Sequence, residues 1–372
     1  MFPTINRESS MLGFGCMRFP TTPDGKIDES EAIRMIRHAI DNGVRYIDTA
    51  YPYHGGESEA VVGKALKDGY REKVILTTKL PVWLVKTHED MMKFLDEQLK
   101  KLDTPYVDFY ILHAMNNERM DAMQKLDYKR FYAEAIAQGK VRYPGFSFHD
   151  DAKAFLRILH DWDQWGMCQV QMNILDDENQ ATLEGIREAG RRGVGVVVME
   201  PLRGGLLANP PVDVKAVYDA YAVRRSPVEW GFRYLYAMPE VTTILSGMST
   251  WAQVTDNLRI FDMAKRPTLT DEELALYQKV KATYLARTKT RCTGCKYCQP
   301  CPMGVQIPRI FQGYDAAMLR ADSSFKAGYA QIQADHADAS QCIHCRKCER
   351  VCPQHLPITR FLEEIHAAST AE

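Results

Sequence analysis

The sequence predicts an α/β protein in two parts: a closed (β/α)8 barrel of the TIM type, followed by a small, mainly helical module that is rich in cysteine. Three observations support this prediction. Strand and helix patterns alternate over roughly 260 residues, which is typical of a parallel barrel. The glycine pattern of an open dinucleotide-binding sheet is incomplete after the first strand. Eight of the ten cysteines lie near the C-terminus.

Eight short apolar segments read as buried strands. The first is expected near residues 12–16, and the others are expected at residues 43–48, 74–79, 107–113, 143–148, 168–172, 194–199 and 241–245. Helical segments separate them, and this alternation favours a parallel arrangement.

The helical segments carry their own start signals. Asp28 with Glu31 three residues later has the pattern of a capping box, and Thr87 with Asp90 opens a second helix. Apolar residues at helical spacing then mark the inner face of each helix. These residues are Ala32, Ile33, Ile36, Ala39 and Ile40 in the first helix, and Met91, Met92, Leu95, Leu99 and Leu102 in the second.

The competing architecture is the open sheet of dinucleotide-binding enzymes, which needs Gly-x-Gly-x-x-Gly after its first strand. The sequence from Gly13 to Arg18 supplies Gly13 and Gly15, but the third glycine is absent. We therefore predict a barrel over residues 1–265. A connecting helix is expected within 266–288, and the cysteine-rich module within 289–372.

Composition and charge exclude several classes of partner. The formal net charge of the 372 residues is −1, so no electrostatic argument favours nucleic acid or an anionic membrane surface. No apolar run approaches the roughly 20 residues that cross a bilayer. The first residues carry neither the basic nor the apolar region of a signal peptide. We expect a cytoplasmic protein.

The cysteines form two tight runs, each closed by a Cys-Pro pair. Such spacing is typical of thiolates around 4Fe-4S clusters, where three cysteines hold one cluster and the fourth ligates the other. Disulfides belong to oxidising compartments, and structural zinc favours pairs of cysteines or cysteines mixed with histidines. The runs are Cys292, Cys295, Cys298 and Cys301, and Cys342, Cys345, Cys348 and Cys352.

Two-cluster ferredoxins suggest how these cysteines are shared. By that analogy, one 4Fe-4S cluster takes the first three cysteines of the first run with Cys352, and the other takes the first three of the second run with Cys301. The first run is one residue shorter than the second at its end, which makes the role of Cys301 the weaker assignment. The spacer at 303–341 is expected to be helical.

Polar residues follow three neighbouring strands of the predicted barrel. Asp48 ends the second strand, Lys79 ends the third and His113 ends the fourth, while Tyr53 follows Asp48 on a loop. The carboxyl ends of barrel strands line one mouth, so these four side chains are expected to meet there.

With these four residues in this order and spacing, residues 1–265 resemble the aldo-keto reductase family. The tail resembles a subgroup with a ferredoxin-like extension. The resemblance implies an NAD(P)H-dependent enzyme that reduces a carbonyl, with Tyr53 as proton donor. Lys79 would lower the pKa of that phenol, Asp48 would hold Lys79, and His113 would orient the substrate oxygen.

The resemblance also implies a nicotinamide dinucleotide, either NADP or NAD, bound without a Rossmann fold. Phe148 replaces the asparagine usual beside the carboxamide-binding serine, and no cation follows the last strand before Arg259. Gly204 also fits an ordinary turn, and Gln253 also fits a capping box with Thr250. The residues implied in cofactor binding are Gly15, Cys16, Met17, Asp48, Ser147, Gln171, Pro201, Leu202, Arg203, Gly204, Gly247, Ser249, Gln253 and Asn257.

Cys16 and Cys168 fall outside the two runs. Small buried apolar side chains are the default interpretation of both, although Cys16 lies where the family's cofactor pocket begins.

Hydride transfer moves two electrons, whereas each cluster passes one, so the two redox systems do not match in electron count. A flavin would reconcile them; the sequence shows no flavin motif and leaves a flavin open. The expected partners are a small-molecule carbonyl substrate and a ferredoxin or other redox protein, with neither nucleic acid nor membrane. The alternatives are an electron-transfer or nucleotide-sensing subunit with little catalysis, and one-electron reduction of a substrate through the clusters.

Overall fold

The computed structural model describes residues 2, 8–262, 266–292, 294 and 296–370. The chain divides into two compact units. The first contains the residues up to Gly204 together with Val228–Leu269, and the second contains Gly205–Pro227 together with the residues from Thr270 onwards. Each unit has its own apolar core.

In the described part of the first unit, eight parallel strands close into a barrel in chain order, with the last strand paired to the first. Each strand overlaps its predicted segment, so the predicted barrel is confirmed. The strands are β1 (Leu12–Gly15), β2 (Tyr46–Asp48), β3 (Ile75–Leu80), β4 (Val107–Met115), β5 (Val141–Phe148), β6 (Met167–Gln171), β7 (Gly195–Met199) and β8 (Val241–Gly247).

Helices follow the strands along the chain. Over the described residues they are α1 (Glu29–Asp41), α2 (Ser58–Ala65), α3 (His88–Leu102), α4 (Asn117–Lys125), α5 (Tyr128–Ala137), α6 (Ala152–Asp161), α7 (Thr182–Arg191), α8 (Val212–Asp219), α9 (Pro227–Tyr236), α10 (Trp251–Phe261), α11 (Asp271–Arg287), α12 (Ile307–Arg320), α13 (Ser324–Ala334), α14 (Lys347–Arg350) and α15 (Ile358–Thr370). Helices α12 and α13 confirm the helical spacer between the cysteine runs.

The predicted helix starts form, with one difference. At α1, Asp28 accepts a hydrogen bond from the backbone N–H of Glu31, as predicted, but the Glu31 carboxylate pairs with Arg34 at 3.1 Å. Only half of that capping box is therefore present. Complete boxes form at α3, α10 and α11, between Thr87 and Asp90, Thr250 and Gln253, and Thr270 and Glu273.

Aromatic side chains close the amino-terminal end of the barrel. The ring of Phe2 lies 5.7 Å from that of Tyr46 and 5.0 Å from that of Phe109. Gly195 at the start of β7 makes room for Phe2, because a Cβ there would lie 2.3 Å from its ring. With this end filled by apolar groups, the polar interior of the barrel lies towards its carboxyl end.

In the second unit, α8 is tied to α11. Arg287 donates two hydrogen bonds, of 2.9 and 2.8 Å, to the carboxylate of Asp213, and the Tyr284 hydroxyl donates to the Leu206 carbonyl at 3.4 Å. These contacts group residues 205–227 with the C-terminal part, although the sequence suggested a single barrel domain up to residue 265. The predicted boundaries of the functional domains, at 265, 266–288 and 289, stay a prediction.

One carboxylate fixes the start of the cysteine-rich segment. Asp315 of α12 accepts the backbone N–H groups of Lys289 (2.8 Å), Thr290 (3.1 Å) and Arg291 (2.7 Å), and also the Thr290 hydroxyl (2.7 Å). The backbone that leads into Cys292 is thereby held against a helix. Among the helices that the structure describes, none has the length and apolar character needed to cross a membrane.

Candidate active site and iron–sulfur centre

Lys79 is the centre of the polar group at the barrel rim. Its Nζ lies 2.6 Å from Oδ1 of Asp48, 2.8 Å from the carbonyl oxygen of Thr49 and 3.2 Å from the hydroxyl oxygen of Tyr53. The side chains of Lys79 and Asp48 are only 1% and 3% exposed. The structure therefore brings three of the four predicted catalytic residues into one hydrogen-bonded group.

Strand register and a tight turn produce this geometry. Asp48 pairs with Thr77 across β2 and β3, which puts Lys79 one strand away and slightly further towards the rim. Tyr53 begins a short 3-10 turn after β2, and His54 in that turn has a φ of +52°. The backbone N–H of Phe19 donates to Nε2 of His54 at 3.1 Å, which anchors the turn.

Burial and charge act against each other in this group. Burial raises the pKa of Asp48, and Lys79 opposes that rise. Burial would lower the pKa of Lys79, but the charges of Asp48 and Tyr53 outweigh it and raise that pKa. Lys79 is therefore an ammonium ion near neutral pH, as the sequence suggested.

The phenol behaves differently from the expectation. Burial raises the pKa of Tyr53 above its ordinary value, and Lys79 lowers it by less than burial raises it. Lys79 therefore acts on the Tyr53 pKa in the expected direction, but burial outweighs it and the pKa lies above its ordinary value. The sequence shows the neighbouring cation, but it does not show that the partial burial of the phenol outweighs that cation.

His113 completes the rim as a neutral imidazole. Its ring lies 6.1 Å from that of Tyr53 and 5.1 Å from that of Trp83. Burial, together with the positive charge of Lys79, lowers the pKa of His113 to about 2. Among the described residues, its Nδ1 and the Oδ2 of Asp48 are buried without a hydrogen-bond partner. Because Gln169 also contacts the Asp48 carboxylate, the His113 nitrogen is the atom of the two that a ligand at the rim can reach.

The mouth beside His113 is partly apolar. Trp83 and Leu84 follow β3 and are 43% and 42% exposed. The guanidinium of Arg119 lies 5.3 Å from the centre of the Trp83 ring. An exposed aromatic face next to a cation suits a flat or weakly polar organic molecule.

Ser147 lies on β5, and its hydroxyl group can still donate a hydrogen bond. Strand β4 has an irregular register between Leu112 and Met115, and Ala114 there has a φ of +55°. This bulge lets the N–H of Ala114 donate to Oγ of Ser147 at 2.7 Å. A serine hydroxyl that accepts one hydrogen bond can still donate its own proton, here towards a ligand such as a carboxamide oxygen.

Gln171 at the end of β6 lies in a polar network centred on Asp176. Gln171 Nε2 donates to Asp176 at 2.8 Å, and Gln171 Oε1 accepts from Gln180 at 2.8 Å. Arg203 Nε also lies 3.3 Å from Asp176. The predicted positive charge of Arg203 is therefore partly neutralised, a pairing that the spacing in the sequence does not reveal.

Arg18 is a residue that the sequence interpretation missed. Its side chain lies between two of the predicted cofactor segments: a Cβ on Gly247 would be 3.2 Å from its stem, and a Cβ on Gly204 would be 3.9 Å from its Nη2. Ser249 Oγ donates to the Arg18 carbonyl at 2.8 Å. No ion pair with Arg18 occurs within the part of the chain that the structure describes. Arg18 lies beside two glycines and is unpaired among the described residues, so it is suited to bind a phosphate group.

Among the other residues that were predicted to bind the cofactor, some are exposed and others are buried or packed. Met17 is 57% exposed, whereas Cys16 and Pro201 are buried and Leu202 packs on the apolar core. Gly15 lies tightly against β8, because a Cβ there would be 3.3 Å from the carbonyl oxygen of Ser246.

The two polar residues of α10 that were predicted to bind the cofactor have structural roles. Gln253 completes the capping box of the helix, and Asn257 is buried and donates to Ser246 at 2.9 Å. Phe148 packs against Phe155 in the core, and Cys168, like Cys16, is fully buried. The default interpretation of the two isolated cysteines is thus confirmed.

The cysteines of the second unit line two cavities. A cavity of about 200 Å³ is lined by Cys298, Cys301, Cys342, Cys345 and Cys348. A smaller one, of about 20 Å³, is lined by Cys292, Cys298 and Cys352. Each cavity thus meets the fourth cysteine of the opposite run. Cys295 lies outside the described residues.

This donor set fits iron–sulfur clusters. The cysteines of both runs line cavities, as thiolates around a cluster would. Burial raises the pKa of Cys342, and the neighbouring Cys301 adds to that rise. Such crowded sulfurs favour a bound cation that stabilises their thiolate form.

Comparisons with known proteins match both parts of the chain. The model of the aldo/keto reductase family matches residues 11–282, and a 4Fe-4S dicluster domain matches residues 291–356. Probable aldo-keto reductase 1 of Glycine max is 27% identical over 219 residues, which is 55% of this chain and 59% of that protein. The chain therefore spans less than two thirds of that relative.

Two further relatives are matched over more of their length. An uncharacterized oxidoreductase of Bacillus subtilis, YqkF, is 24% identical over 312 residues, covering 74% of this chain and 94% of that protein. The holo form of an aldo-keto reductase from Bacillus halodurans has a TM-score of 0.63 and 28% identity, covering 75% of this chain and 95% of that chain.

The structure thus defines a closed parallel barrel with a buried carboxylate and ammonium, and a phenol hydrogen-bonded to the ammonium, at its rim. The chain belongs to the aldo/keto reductase family. It also carries a 4Fe-4S dicluster domain at its C-terminal side.

Proposed function

We propose that the protein reduces an aldehyde or ketone with NAD(P)H, with Tyr53 as the proton donor and two 4Fe-4S clusters in its C-terminal part. The observation that carries this proposal is Nζ of Lys79, which lies within 2.6 Å of Asp48 and 3.2 Å of Tyr53 at a buried rim. Side chains so arranged can deliver a proton where water is excluded.

A reduced nicotinamide, when bound, supplies the hydride that reaches the carbonyl carbon. The hydroxyl of Tyr53 gives its proton to the oxygen on which negative charge develops. Lys79 stabilises the phenolate that remains, and Asp48 keeps Lys79 charged and in place. Because burial raises the pKa of Tyr53, the phenol keeps its proton until that oxygen becomes basic.

His113 orients the substrate. With a pKa of about 2, its imidazole is neutral and carries one N–H and one acceptor nitrogen. A neutral imidazole can donate to the carbonyl oxygen without competing with Tyr53 as an acid. The aromatic face of Trp83, 5.1 Å away, can cover the organic part of the substrate.

The cofactor-binding residues extend around the same rim. Ser147 and Gln171 would hold the carboxamide, since both keep hydrogen-bonding capacity beyond their internal partners. Arg18, between Gly204 and Gly247, would bind phosphate oxygens. Gln253 and Asn257 would support the segment around the adenosine end through the start of α10.

The clusters would be held by crossed sets of cysteines. The cavities support one set of Cys301 with the first three cysteines of the second run. They support the other set through Cys292, Cys298 and Cys352; Cys295, which lies outside the described residues, is the fourth member that the spacing in the sequence predicts.

The test is Tyr53→Phe in the anaerobically purified full chain, assayed with NADPH and NADH over a panel of aldehydes and ketones. Removing the acid should lower kcat by about 10²–10⁴-fold and leave nucleotide binding unchanged. Tyr51→Phe is the matched control, because the Tyr51 ring packs edge-on against Phe94 at 5.3 Å and lies outside the Lys79 group. Equal turnover in the two variants would overturn the assignment of Tyr53.

A further inference from the structure

A half-buried cation lies at the edge of the mouth beside His113. Arg119 is in the first turn of α4, directly after β4, and its guanidinium lies 5.3 Å from the centre of the Trp83 ring. The Trp83 ring in turn lies 5.1 Å from that of His113. Because both distances start at the same indole, the guanidinium and the imidazole are separated by no more than their sum. A small molecule bound at His113 can therefore reach Arg119.

Local structure fixes the position of Arg119 before any ligand binds. Asn116 caps α4 and accepts the backbone N–H of Arg119 at 2.7 Å. Nη1 of Arg119 donates to the carbonyl oxygen of Ala114 at 2.5 Å, within the bulge of β4 that follows His113. The approach to the Trp83 ring adds a cation–π attraction. A side chain that is already oriented costs less conformational entropy when it binds a ligand.

The charge of Arg119 is not neutralised by the protein. A guanidinium carries five N–H donors in a planar fork. Over the residues that the structure describes, one of these groups donates to Ala114, and no carboxylate forms an ion pair with Arg119. The guanidinium thus keeps both its charge and most of its donors for a ligand.

The carboxylates closest to Arg119 in the chain are engaged elsewhere or point away. Asp121 pairs with Arg157, and Asp150 accepts two backbone N–H groups, at 3.0 and 2.9 Å. Glu118 is exposed and directly precedes Arg119 in the helix, and consecutive helical residues do not face each other. The positive charge of Arg119 therefore acts on the mouth of the barrel.

The two sides of this mouth suit different groups of one molecule. Burial is the main cause of the lowered pKa of His113, and the charge of Arg119 adds to it, so the field of the guanidinium reaches the imidazole. His113 is neutral and has a buried nitrogen without a hydrogen-bond partner among the described residues. The imidazole suits a neutral carbonyl oxygen, whereas the guanidinium suits an anion.

We propose that Arg119 determines substrate specificity, and that the substrates are aldehydes or ketones with a carboxylate a few bonds from the carbonyl group. This rests on the proposed carbonyl reduction at Tyr53. The guanidinium fork binds the carboxylate, Trp83 covers the carbon skeleton between the two groups, and His113 binds the carbonyl oxygen. The carboxylate changes no bond in the reaction, because its role is to hold the substrate in register with Tyr53.

One negative charge fits this position better than two or none. A phosphate monoester carries a charge of about −1.5 to −2 near neutral pH, which a single guanidinium only partly balances. An uncharged substrate that covers Arg119 removes it from water and gives it no partner, so such a substrate is disfavoured. The unpaired cation thus selects for a monoanion.

The experiment compares two acids, 4-carboxybenzaldehyde and 4-oxobutanoate, with their methyl esters as substrates of the anaerobically purified full chain, with NADPH and with NADH. Each acid differs from its ester in the charge alone, apart from one methyl group. We expect kcat/KM to be about tenfold or more higher for at least one acid than for its ester, because the ester lacks the charge-assisted contact. No preference in either pair would overturn the proposal.

The test variant is Arg119→Gln. It should lower kcat/KM for the preferred acid by about tenfold or more, mainly through KM, and change that for the ester by less than about twofold. Arg157→Gln is the matched control, because Arg157 supports the same helix by donating to the side chain of Asn117 at 3.0 Å, and it should behave like the parent. Equal losses for acid and ester in Arg119→Gln would mean that Arg119 only supports α4, and would overturn the proposal.

Failure of this proposal is distinguishable from failure of the proposed function. A chain that reduces acids and esters equally well loses the carboxylate site alone. If no carbonyl compound is reduced, calorimetry with 4-methylbenzoate, which has the ring and the carboxylate but no carbonyl, decides. Binding that Arg119→Gln weakens about tenfold supports the carboxylate site without carbonyl reduction, and absent or unchanged binding overturns both.

Discussion

The barrel rim and the second cysteine run hold their reactive groups in opposite ways. At the rim, Lys79 and Asp48 are almost fully buried and charge-paired. In the second unit, Cys345 is exposed and apolar side chains around it face solvent. The difference indicates that the rim suits a small molecule and keeps water away from it.

The largest expected effect follows from breaking the buried pair at the rim. Lys79→Met should lower kcat by about 10²–10⁴-fold and lower the free energy of unfolding by about 3–5 kcal/mol, because the Asp48 carboxylate is left buried and unpaired. Combining it with Asp48→Asn should recover most of the stability and none of the activity. Denaturant unfolding and turnover assays measure both, and a double variant as unstable as the single one would contradict this account.

The next effect concerns the crossing of the cysteines. Cys352→Ser should lose roughly half of the iron, since one of two clusters fails to form. Adding Cys292→Ser should lose no more iron, whereas adding Cys342→Ser should lose the rest. Iron and sulfide analysis with electron paramagnetic resonance gives the answer. If the Cys292 and Cys342 double variants behave in the reverse way, each run holds its own cluster.

A smaller effect is expected for Arg18, the cation that lies between Gly204 and Gly247. Arg18→Ala should raise the KM for NADPH by about tenfold, which corresponds to one lost charge-assisted contact of about 1.4 kcal/mol. Steady-state kinetics with NADPH and NADH measure it. Arg191→Ala on α7 is the control, because that side chain is 71% exposed and pairs only with Glu188. Unchanged nucleotide affinity in Arg18→Ala would remove it from the site.

The smallest effect is a pH dependence of stability. In the folded protein the pKa of His113 is about 2, whereas in the unfolded chain it is near the ordinary value of about 6.5. Below that value the unfolded state binds a proton that the folded state does not, so stability falls as pH falls. Between about pH 7 and about pH 5.5, the free energy of unfolding should fall by about 1 kcal/mol because of His113. His113→Gln should remove that part of the slope in denaturant unfolding; an identical slope would contradict it.

The two regions also differ in how far the sequence predicted them. Strand order and strand ends follow local patterns, so the barrel and the positions of Asp48, Lys79 and His113 could be read directly. The cysteine spacing likewise indicated the dicluster domain. These signals are local in the chain, and folding only has to bring together the residues that carry them.

The missed features depend on contacts between distant segments. Arg18 lies near Gly204 and Gly247, and Asp176 partly neutralises Arg203. The sign of the Tyr53 pKa shift depends on burial that no single segment shows. Spacing along the chain cannot report such long-range packing, so these positions became visible only in the folded structure.

The most direct test of the central claim is the fate of a labelled hydrogen. Carbonyl reduction by the iron-loaded enzyme should be run in ordinary water with NADPH deuterated at the transferable position, and the alcohol analysed by mass spectrometry and NMR. Two-electron reduction at the Tyr53 rim predicts deuterium on the alcohol carbon. Solvent hydrogen at that carbon would show that hydride does not pass directly from NADPH to the carbonyl and would contradict the account.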